Sequence, residues 1–506
     1  MKANIDKHES SASGLPSDPQ SANLEALSIS NAKLDYSTGD SASSQRPVSR
    51  MSDLDVLHAR LSNAHLLAHH QFELHPAGGV SYKPHPPGPN RHERQPSHSL
   101  LPHIYPSPDA QGPGLLELTR REIERFRSLA VPSALCCIQR QNDDLAQYLI
   151  NFESLNEGAA NAVFSVRSDQ GVIRTGGFLF VAVTDAGNTA TTIPSHMVAD
   201  KVLRVSKGLP KSLRSEVIVD GFMADVRPLF VSHLASAKGQ TLEDIDLDKH
   251  LMAHLPVVLF DEAMSALQKM VPAICPLKDT AQFGILLPNM STVTGQNVTF
   301  EIKPKWLAQS PNAPPEAIRC RTCALQFSRG KGTPVDYICP LRLSHEGAAV
   351  DSDMAQIRRW ATNALSLQIN KDKNAHLPQG TALETLVDRV VAYFTSGDGR
   401  TLLLHLKKLQ ETLDSEGILQ RYAHPRDDFN FIYDLRLAMT LRDCSLFVVV
   451  PISGGGIISK LADLDFKSAE KVDDWRDKET ALVNEGWYVK NPEAHGVCLL
   501  APKTLT

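Results

Sequence analysis

The run Cys444-Ser-Leu-Phe-Val-Val-Val-Pro451 places the tightest limit on this chain. It is apolar without alternation and too short for an ordinary helix, so it reads as a buried strand. A helical pattern over Asn430–Leu441 feeds into it, and Gly454-Gly455-Gly456 turns the chain back toward a partner strand at Lys460–Lys467. Helical periodicity returns at Lys471–Asn484. This is a mixed, helix-rich back, and with the sheet-rich front described next it suggests an α+β fold.

The remainder fits that class. Strand signals at Ala160–Val166, Gly177–Val183 and Lys201–Val205 suggest an antiparallel sheet at the front, with a hairpin turn at Ser168–Gly171. A helical pattern over Leu115–Leu129 precedes them, and helical material at Leu242–Met270 follows, then strands at Phe283–Leu287 and Val298–Lys305. Amphipathic helices are expected at Asp353–Ile369, Ala382–Phe394 and Thr401–Glu416. Residues 1–105 read as a disordered extension rich in Ser, Pro, Asn and His, interrupted by a short amphipathic helix around Leu54–Leu67. The expected organisation is therefore two-lobed: an N-terminal lobe over 106–290 with an antiparallel sheet, and a larger mixed lobe over 291–506.

Bulk properties remove several classes of function. No apolar run approaches the ~18 residues that cross a bilayer, and the polar start lacks the apolar stretch of a secretory signal. A formal net charge of −5 argues against a surface coated for nucleic acid, but leaves room for a local basic cleft. The eight cysteines show no disulfide framework. Cys320-x-x-Cys323 with Cys339 supplies three thiols but no second close pair, and His345 is a poor fourth, so the spacing alone does not specify zinc. The histidines of the extension are irregularly spaced and without cysteine, and no metal site is expected there.

Four segments could carry chemistry. In Glu301-Ile302-Lys303-Pro304-Lys305, alternation would place Glu301, Lys303 and Lys305 on one face of a strand end, able to hold phosphates or simply to solvate an edge. Asp443 sits where a helix meets the apolar run, and Asp463, Asp465 and Lys467 would share a face further on. One carboxylate for a hydroxyl proton and one for Mg2+ is what phosphoryl transfer asks of a protein, although single carboxylates beside strands also act as turn formers or caps. Near Asn156–Asn161, Gly158 would let backbone approach phosphate, with Arg204 and Lys207 adding charge. Gly454–Gly456 lacks the Gly-Lys-Ser/Thr continuation of a phosphate loop.

Taken in order, these segments resemble the inositol-pentakisphosphate 2-kinase family, especially its fungal members, over roughly 150–485. Glu301–Lys305 looks like the family's Glu-x-Lys-Pro-Lys box, Arg319-Cys-Arg-Thr-Cys323 like its Arg-led basic segment, Arg442-Asp-Cys-Ser445 like its Lys/Arg-Asp-Cys-Ser motif, and Asp463-Leu-Asp-Phe-Lys467 like its Asp-Leu-x-x-Lys motif. Glu157-Gly-Ala-Ala-Asn161 resembles its nucleotide loop. The resemblance implies an ATP-dependent kinase that phosphorylates the 2-hydroxyl of inositol 1,3,4,5,6-pentakisphosphate to give the hexakisphosphate, with ATP and Mg2+ as cofactors. It assigns Asp443 as the base, with Lys303 beside the reaction, and Asp463 to the metal. Lys303, Lys305, Arg321, Lys467, Lys471, Arg400 and Trp475 would contact the substrate. Glu157, Gly158, Ala159, Ala160, Asn161, Arg204 and Asn289 would contact the nucleotide. A monomer acting in the nucleus or cytoplasm, without nucleic-acid or membrane partners, is the corresponding expectation. An inactive inositol-phosphate-binding scaffold is the alternative. Plant members have an Asn pair where this chain reads Ser396-Gly-Asp-Gly-Arg400, and their Cys/His zinc site has no visible counterpart. Where they have a pocket Tyr, this chain has Trp475.

Overall fold

The computed structural model describes residues 72–74, 80–82 and 115–501, except for 128–134, 141–142, 159, 169–176, 184–188, 210–212, 232–246, 275–281, 331–336, 347–350, 423–428 and 491–497. Contacts divide the chain into residues 1–70 and 71–506, and every described element belongs to the second unit. The helix expected at 54–67, most of the extension and, beyond Ser168, the turn expected at 168–171 lie outside the described residues. Within the extension, β1 (Phe72–Leu74) and β2 (Val80–Tyr82) pair as a short antiparallel ribbon.

The larger sheet has nine strands: β3 (Leu115–Glu117), β4 (Leu135–Arg140), β5 (Ile150–Glu157), β6 (Asn161–Ser168), β7 (Gly177–Val183), β8 (Thr189–Thr192), β9 (Lys201–Ser206), β10 (Leu255–Leu259) and β11 (Gln282–Pro288). Their order is β3-β8-β7-β4-β10-β11-β9-β6-β5, and β5 also touches β7 through Ile150 and Phe178. All pairings are antiparallel except β10 on β4. The expected antiparallel sheet is thus a mixed one. Its core is apolar and includes Phe164, Phe180, Leu203, Val257 and Leu286.

Three expectations need correcting. The hairpin is β5–β6, not β6–β7, because Ile150 and Phe152 alternate with exposed Asn151 and Glu153 and form a half-buried strand. The helical reading of Leu242–Met270 holds only for Asp261–Met270, since Leu-Pro-Val-Val-Leu at 255–259 is buried throughout and forms β10. The helix expected at 115–129 begins only at Arg120, after β3.

A second sheet is built from β12 (Asn297–Ile302), β13 (Ser445–Pro451) and β14 (Ile458–Ala462), antiparallel in that order. Leu446, Val448 and Val450 of β13 are fully buried, as the apolar run implies. They join a core with helices Asp351–Lys371, Leu383–Thr395, Asp398–Leu413 and Phe429–Leu441, through Trp360, Phe394, Leu403 and Leu441. The chain is therefore α+β. No helix among the described residues is long and apolar enough to cross a membrane.

Candidate active site

Three strand ends of the small sheet meet at one edge. Ile302, the last residue of β12, pairs with Leu446, and Ser445 pairs with Ala462, the last residue of β14. Lys303, Ser445 and Asp463 therefore emerge side by side. Ser445 is fully buried, and its Oγ lies 2.8 Å from Lys303 Nζ, 2.6 Å from Glu301 Oε1 and 2.8 Å from Asp463 Oδ2. One hydroxyl proton can satisfy only one of the two carboxylates at a time, while the Lys303 ammonium donates to the hydroxyl. Lys303 Nζ also donates to Asp463 Oδ2 at 3.1 Å.

Asp443 stands beside this group, just beyond helix Phe429–Leu441. Lys305 Nζ donates to its Oδ1 at 3.1 Å and Lys467 Nζ to its Oδ2 at 2.9 Å. Burial alone would raise the Asp443 carboxyl, but the Lys467 and Lys305 ammonium groups outweigh it and hold the group down at about 2. Burial likewise opposes ionisation of Asp463 and is outweighed by the Ser445 hydroxyl, Lys303 and Arg204, which leave this carboxyl below the usual range. Desolvation would lower Lys303, but Asp463, Glu301 and Asp443 raise it. Both carboxylates and Lys303 are thus ionised at neutral pH.

The alternation expected from sequence breaks here. β12 ends at Ile302 and β14 at Ala462, and both Lys305 (φ 58°) and Asp463 (φ 54°) occupy the left-handed region. Side chains inside the protein hold this irregular backbone. The fully buried Gln410 donates from Nε2 to Lys305 O at 2.9 Å and accepts from Leu307 N at 2.9 Å. Thr440 Oγ1 accepts from Lys467 N at 3.1 Å, and Arg436 Nε donates to Lys467 O at 2.6 Å.

The large sheet contributes Arg204 from β9. Its guanidinium grips Asp465 with two bonds of 2.9 and 2.5 Å, and the nearby Asp463 carboxylate adds to its field. Further along, the β5–β6 turn closes with Gly158 N on Asn161 O at 2.9 Å, and Lys207 N donates to Ala160 O at 2.9 Å. The buried Lys207 ammonium meets Glu157 at 2.5 Å. A Cβ on Gly158 would meet only Asn161 O at 3.6 Å, an ordinary contact, so neither packing nor a positive φ demands glycine there. Ala159 lies outside the described residues. Asn289, at the end of β11, donates its N–H to Asp200 O at 2.8 Å, and its Oδ1 accepts from Ser291 N at 2.9 Å.

The structure brings together Lys303, Lys305, Asp443, Asp463 and Lys467, and joins Arg204 to them through Asp465. Two other expected substrate contacts are directed inward. Arg321 is buried, with Nε on Glu479 at 3.0 Å and its guanidinium 4.5 Å from the Trp306 ring centre. Trp475 packs with Ile418, Leu435 and Val472. Arg321 opens a helix whose interior side must neutralise Glu479, and Trp475 lies on the apolar stripe of Val472–Asn484. Lys471 is exposed and has no side-chain partner among the described residues, and Arg400 is half-buried on the first turn of Asp398–Leu413. Sequence reasoning missed Ser445, Gln410 and Thr440, although Ser445 stands within the Arg-Asp-Cys-Ser segment. It also missed that Cys320, Cys323 and Cys339 meet a fourth cysteine, Cys498, whereas His345 is exposed and not among them.

Glu301 and Asp463, whose carboxylates converge on the Ser445 hydroxyl, are hard oxygen donors of the kind Mg2+ takes, and Asp465 stands close by on Arg204. Charged carboxylates alternating with ammonium groups suit a polyanionic substrate. The sequence profile of the inositol-pentakisphosphate 2-kinase family matches residues 155–481, well over half of the chain. The inositol-pentakisphosphate 2-kinase of Yarrowia lipolytica is 35% identical over 196 residues, 38% of this chain and 55% of that protein. The matched stretch thus spans about half the length of that curated relative. The chain belongs to the inositol-pentakisphosphate 2-kinase family.

Proposed function

We propose that the chain transfers the γ-phosphoryl group of ATP to the 2-hydroxyl of inositol 1,3,4,5,6-pentakisphosphate, giving the hexakisphosphate and ADP. The observation that carries this reading is the pairing of Asp443 with Lys305 and Lys467, next to the pairing of Asp463 with Lys303 and Ser445. The substrate's phosphates compete for the three ammonium groups and draw them off the carboxylates. Asp443 then faces the hydroxyl that the lysine-bound phosphates have oriented.

The hydroxyl oxygen bonds to the γ-phosphorus as the bridge between β- and γ-phosphates breaks, and the hydroxyl proton passes to Asp443. A carboxylate with so low a pKa is a weak base. Loose phosphoryl transfer asks little of a base before the transition state, and orientation is then the larger contribution. Losing its lysine partners to phosphate also raises the Asp443 carboxyl toward its ordinary value. A missing substrate phosphate would leave a desolvated ammonium unpaired, which gives selectivity against less phosphorylated inositols.

Two lobes would face each other across this site, the large sheet holding ATP and the small sheet with its helices holding the inositol. Glycine at 158 leaves open space beyond the β5–β6 turn, which suits a phosphate laid against backbone N–H groups. Asp463, with Asp465 and Glu301, would hold Mg2+, which neutralises charge on the phosphates when bound. Arg400 and Lys471 would extend the phosphate contacts, and Asn289 would lie by the adenine. We further infer a monomer of nucleus or cytoplasm without nucleic-acid or membrane partners.

The test is a turnover assay of the full chain with Mg-ATP and the pentakisphosphate, products separated by anion exchange, and Asp443→Asn alongside. Hexakisphosphate formed by the parent and reduced at least ~100-fold in the variant supports the reading. Pentakisphosphate bound without turnover would mean a scaffold instead.

A further inference from the structure

Lys467 is the most enclosed of the three lysines that meet the Asp443 and Asp463 carboxylates. Its side chain is 15% exposed, against 35% for Lys305 and 41% for Lys303. An ammonium so enclosed loses most when its partner is missing, because little water can take the partner's place. A lysine stem is a flexible chain of four carbons, so the reach of its ammonium is only as definite as the backbone that carries it. Lys467 lies past the end of β14, outside any strand or helix, and something other than a sheet must hold it there.

One face of the helix Phe429–Leu441 does so. Tyr433, Arg436 and Thr440 recur at the three- and four-residue spacing that puts side chains on the same side. The fully buried Thr440 accepts from Lys467 N at 3.1 Å, and Arg436 Nε donates to Lys467 O at 2.6 Å. Both backbone groups of Lys467 are thus held by side chains of one helix. The Arg436 guanidinium also lies over the Phe466 ring, 4.0 Å from its centre, and the Tyr433 ring tilts against the same ring at 5.5 Å. Phe466 is buried, and Gly221 packs so closely on it that a Cβ there would stand 3.0 Å from the Phe466 Cβ. The same helix end fixes Asp443, whose N–H donates to Thr440 O at 3.2 Å. Thr440 therefore holds Asp443 through its carbonyl and Lys467 through its hydroxyl, and the 2.9 Å contact between their side chains is set from a single residue.

We propose that Arg436 and Thr440 are positioning residues that fix the reach of Lys467, and that through it they set the contribution of one phosphate of the inositol ligand to binding. Neither side chain touches the ligand. Each acts on Lys467 alone, from behind, through its backbone. The class of ligand rests on the kinase reading above, whereas the positioning is read from binding and needs no turnover.

The test is calorimetric titration of the full chain with the pentakisphosphate and with the tetrakisphosphates that each lack one of its phosphates. Arg436→Met, Thr440→Val and, as reference, Lys467→Ala are titrated beside the parent. Each variant should bind the pentakisphosphate about tenfold more weakly or worse. For the tetrakisphosphate that lacks the phosphate held by Lys467, all of them should match the parent to within about twofold, and for the others the loss should persist. Affinity for ATP should stay within about twofold, which a general loosening of the fold would not allow. Arg436→Lys keeps a cation over Phe466 and a donor for Lys467 O, and should return to within about threefold of the parent. Thr440→Val swaps a hydroxyl for a methyl of the same shape, and it keeps the test open should Arg436→Met fail to fold. Parent-like binding of the pentakisphosphate by the folded variants overturns the proposal. So does an equal loss for every tetrakisphosphate, or an insensitive one different from that of Lys467→Ala. A parent that binds none of these ligands would instead overturn the kinase reading, and the positioning with it.

Discussion

Lys305 and Asp463 share an uncommon backbone: with φ of 58° and 54°, they are the non-glycine residues in the left-handed region among those described. Both present a charge to the site, and each flanks a strand end. Such conformations cost about 1–3 kcal/mol each and persist where the surroundings fix them. At Lys305 the Gln410 amide supplies that fixing, by bonding Lys305 O and Leu307 N.

The strain can be measured at Lys305 by separating backbone from charge. Lys305→Ala and Lys305→Gly both remove the ammonium group, so both should raise the pentakisphosphate KM at least tenfold. Glycine accepts a positive φ without a Cβ clash, so Lys305→Gly should be the more stable of the two by about 1 kcal/mol. Urea unfolding of the pair decides the matter. An alanine variant as stable as the glycine one would mean that the segment relaxes freely.

Asp443 gives a stability signal with a defined pH window. Its carboxyl titrates at about 2 in the folded chain against an ordinary ~3.9 unfolded, so its contribution is complete above the unfolded value and disappears as pH falls through the folded one. The stability difference between the parent and Asp443→Asn should therefore be constant from pH 5 to 8 and shrink below about pH 4. The side chain is 52% exposed, and screening should keep the difference under about 1 kcal/mol. Denaturant midpoints across that range test the sign. A difference growing toward low pH would contradict the pairing with Lys305 and Lys467.

What the sequence revealed, and what it hid, follows from distance along the chain. The buried strand at 445–451 was legible because its apolar character is local, and the charges around it were legible because they stand in short motifs. Alternation misplaced Asp463 and Lys305, since a strand pattern carries no sign of the φ at which the strand stops. The strand at 255–259 was lost in a helical reading because a short apolar run has the same look in either state. Gln410 and Cys498 could not be found by spacing at all: Gln410 acts 105 residues away on Lys305, and Cys498 lies 159 residues beyond Cys339. The inward turn of Arg321 was equally invisible, because its partner Glu479 follows 158 residues later.

The Arg442–Asp414 pair should prove costly to break. Both side chains are 2% exposed and 2.5 Å apart, and Arg442 also lies over Trp306. Arg442 Nε and Asp414 Oδ1 are without partners among the described residues, so the pair already has nothing to spare. Asp414→Asn leaves a buried guanidinium uncompensated and should destabilise by about 3–5 kcal/mol. The double change Asp414→Leu with Arg442→Met should recover part of that loss, because it removes both charges. Thermal and urea unfolding would show the recovery, and a double variant worse than Asp414→Asn would mean that the Trp306 stacking dominates.

Arg204 and Asp465 link the large sheet to the segment after β14, through two bonds of 2.9 and 2.5 Å. The guanidinium is nearly buried, so the Asp465 carboxylate offsets its desolvation, and the two should show a coupling of about 1–3 kcal/mol in a double-mutant cycle of unfolding. Arg204→Lys should not rescue the bond, because a single ammonium cannot match both carboxylate oxygens. The kinetic consequences should differ between the partners. If Arg204 faces the nucleotide as proposed, Arg204→Ala should raise the ATP KM at least tenfold. Asp465→Asn leaves the cation in place but frees it from its anchor, and should lower kcat while increasing the Mg2+ concentration needed for half-maximal rate. Identical kinetic profiles for the two variants would mean that the pair acts only as a structural bond between sheets, with no separate role for either residue in turnover.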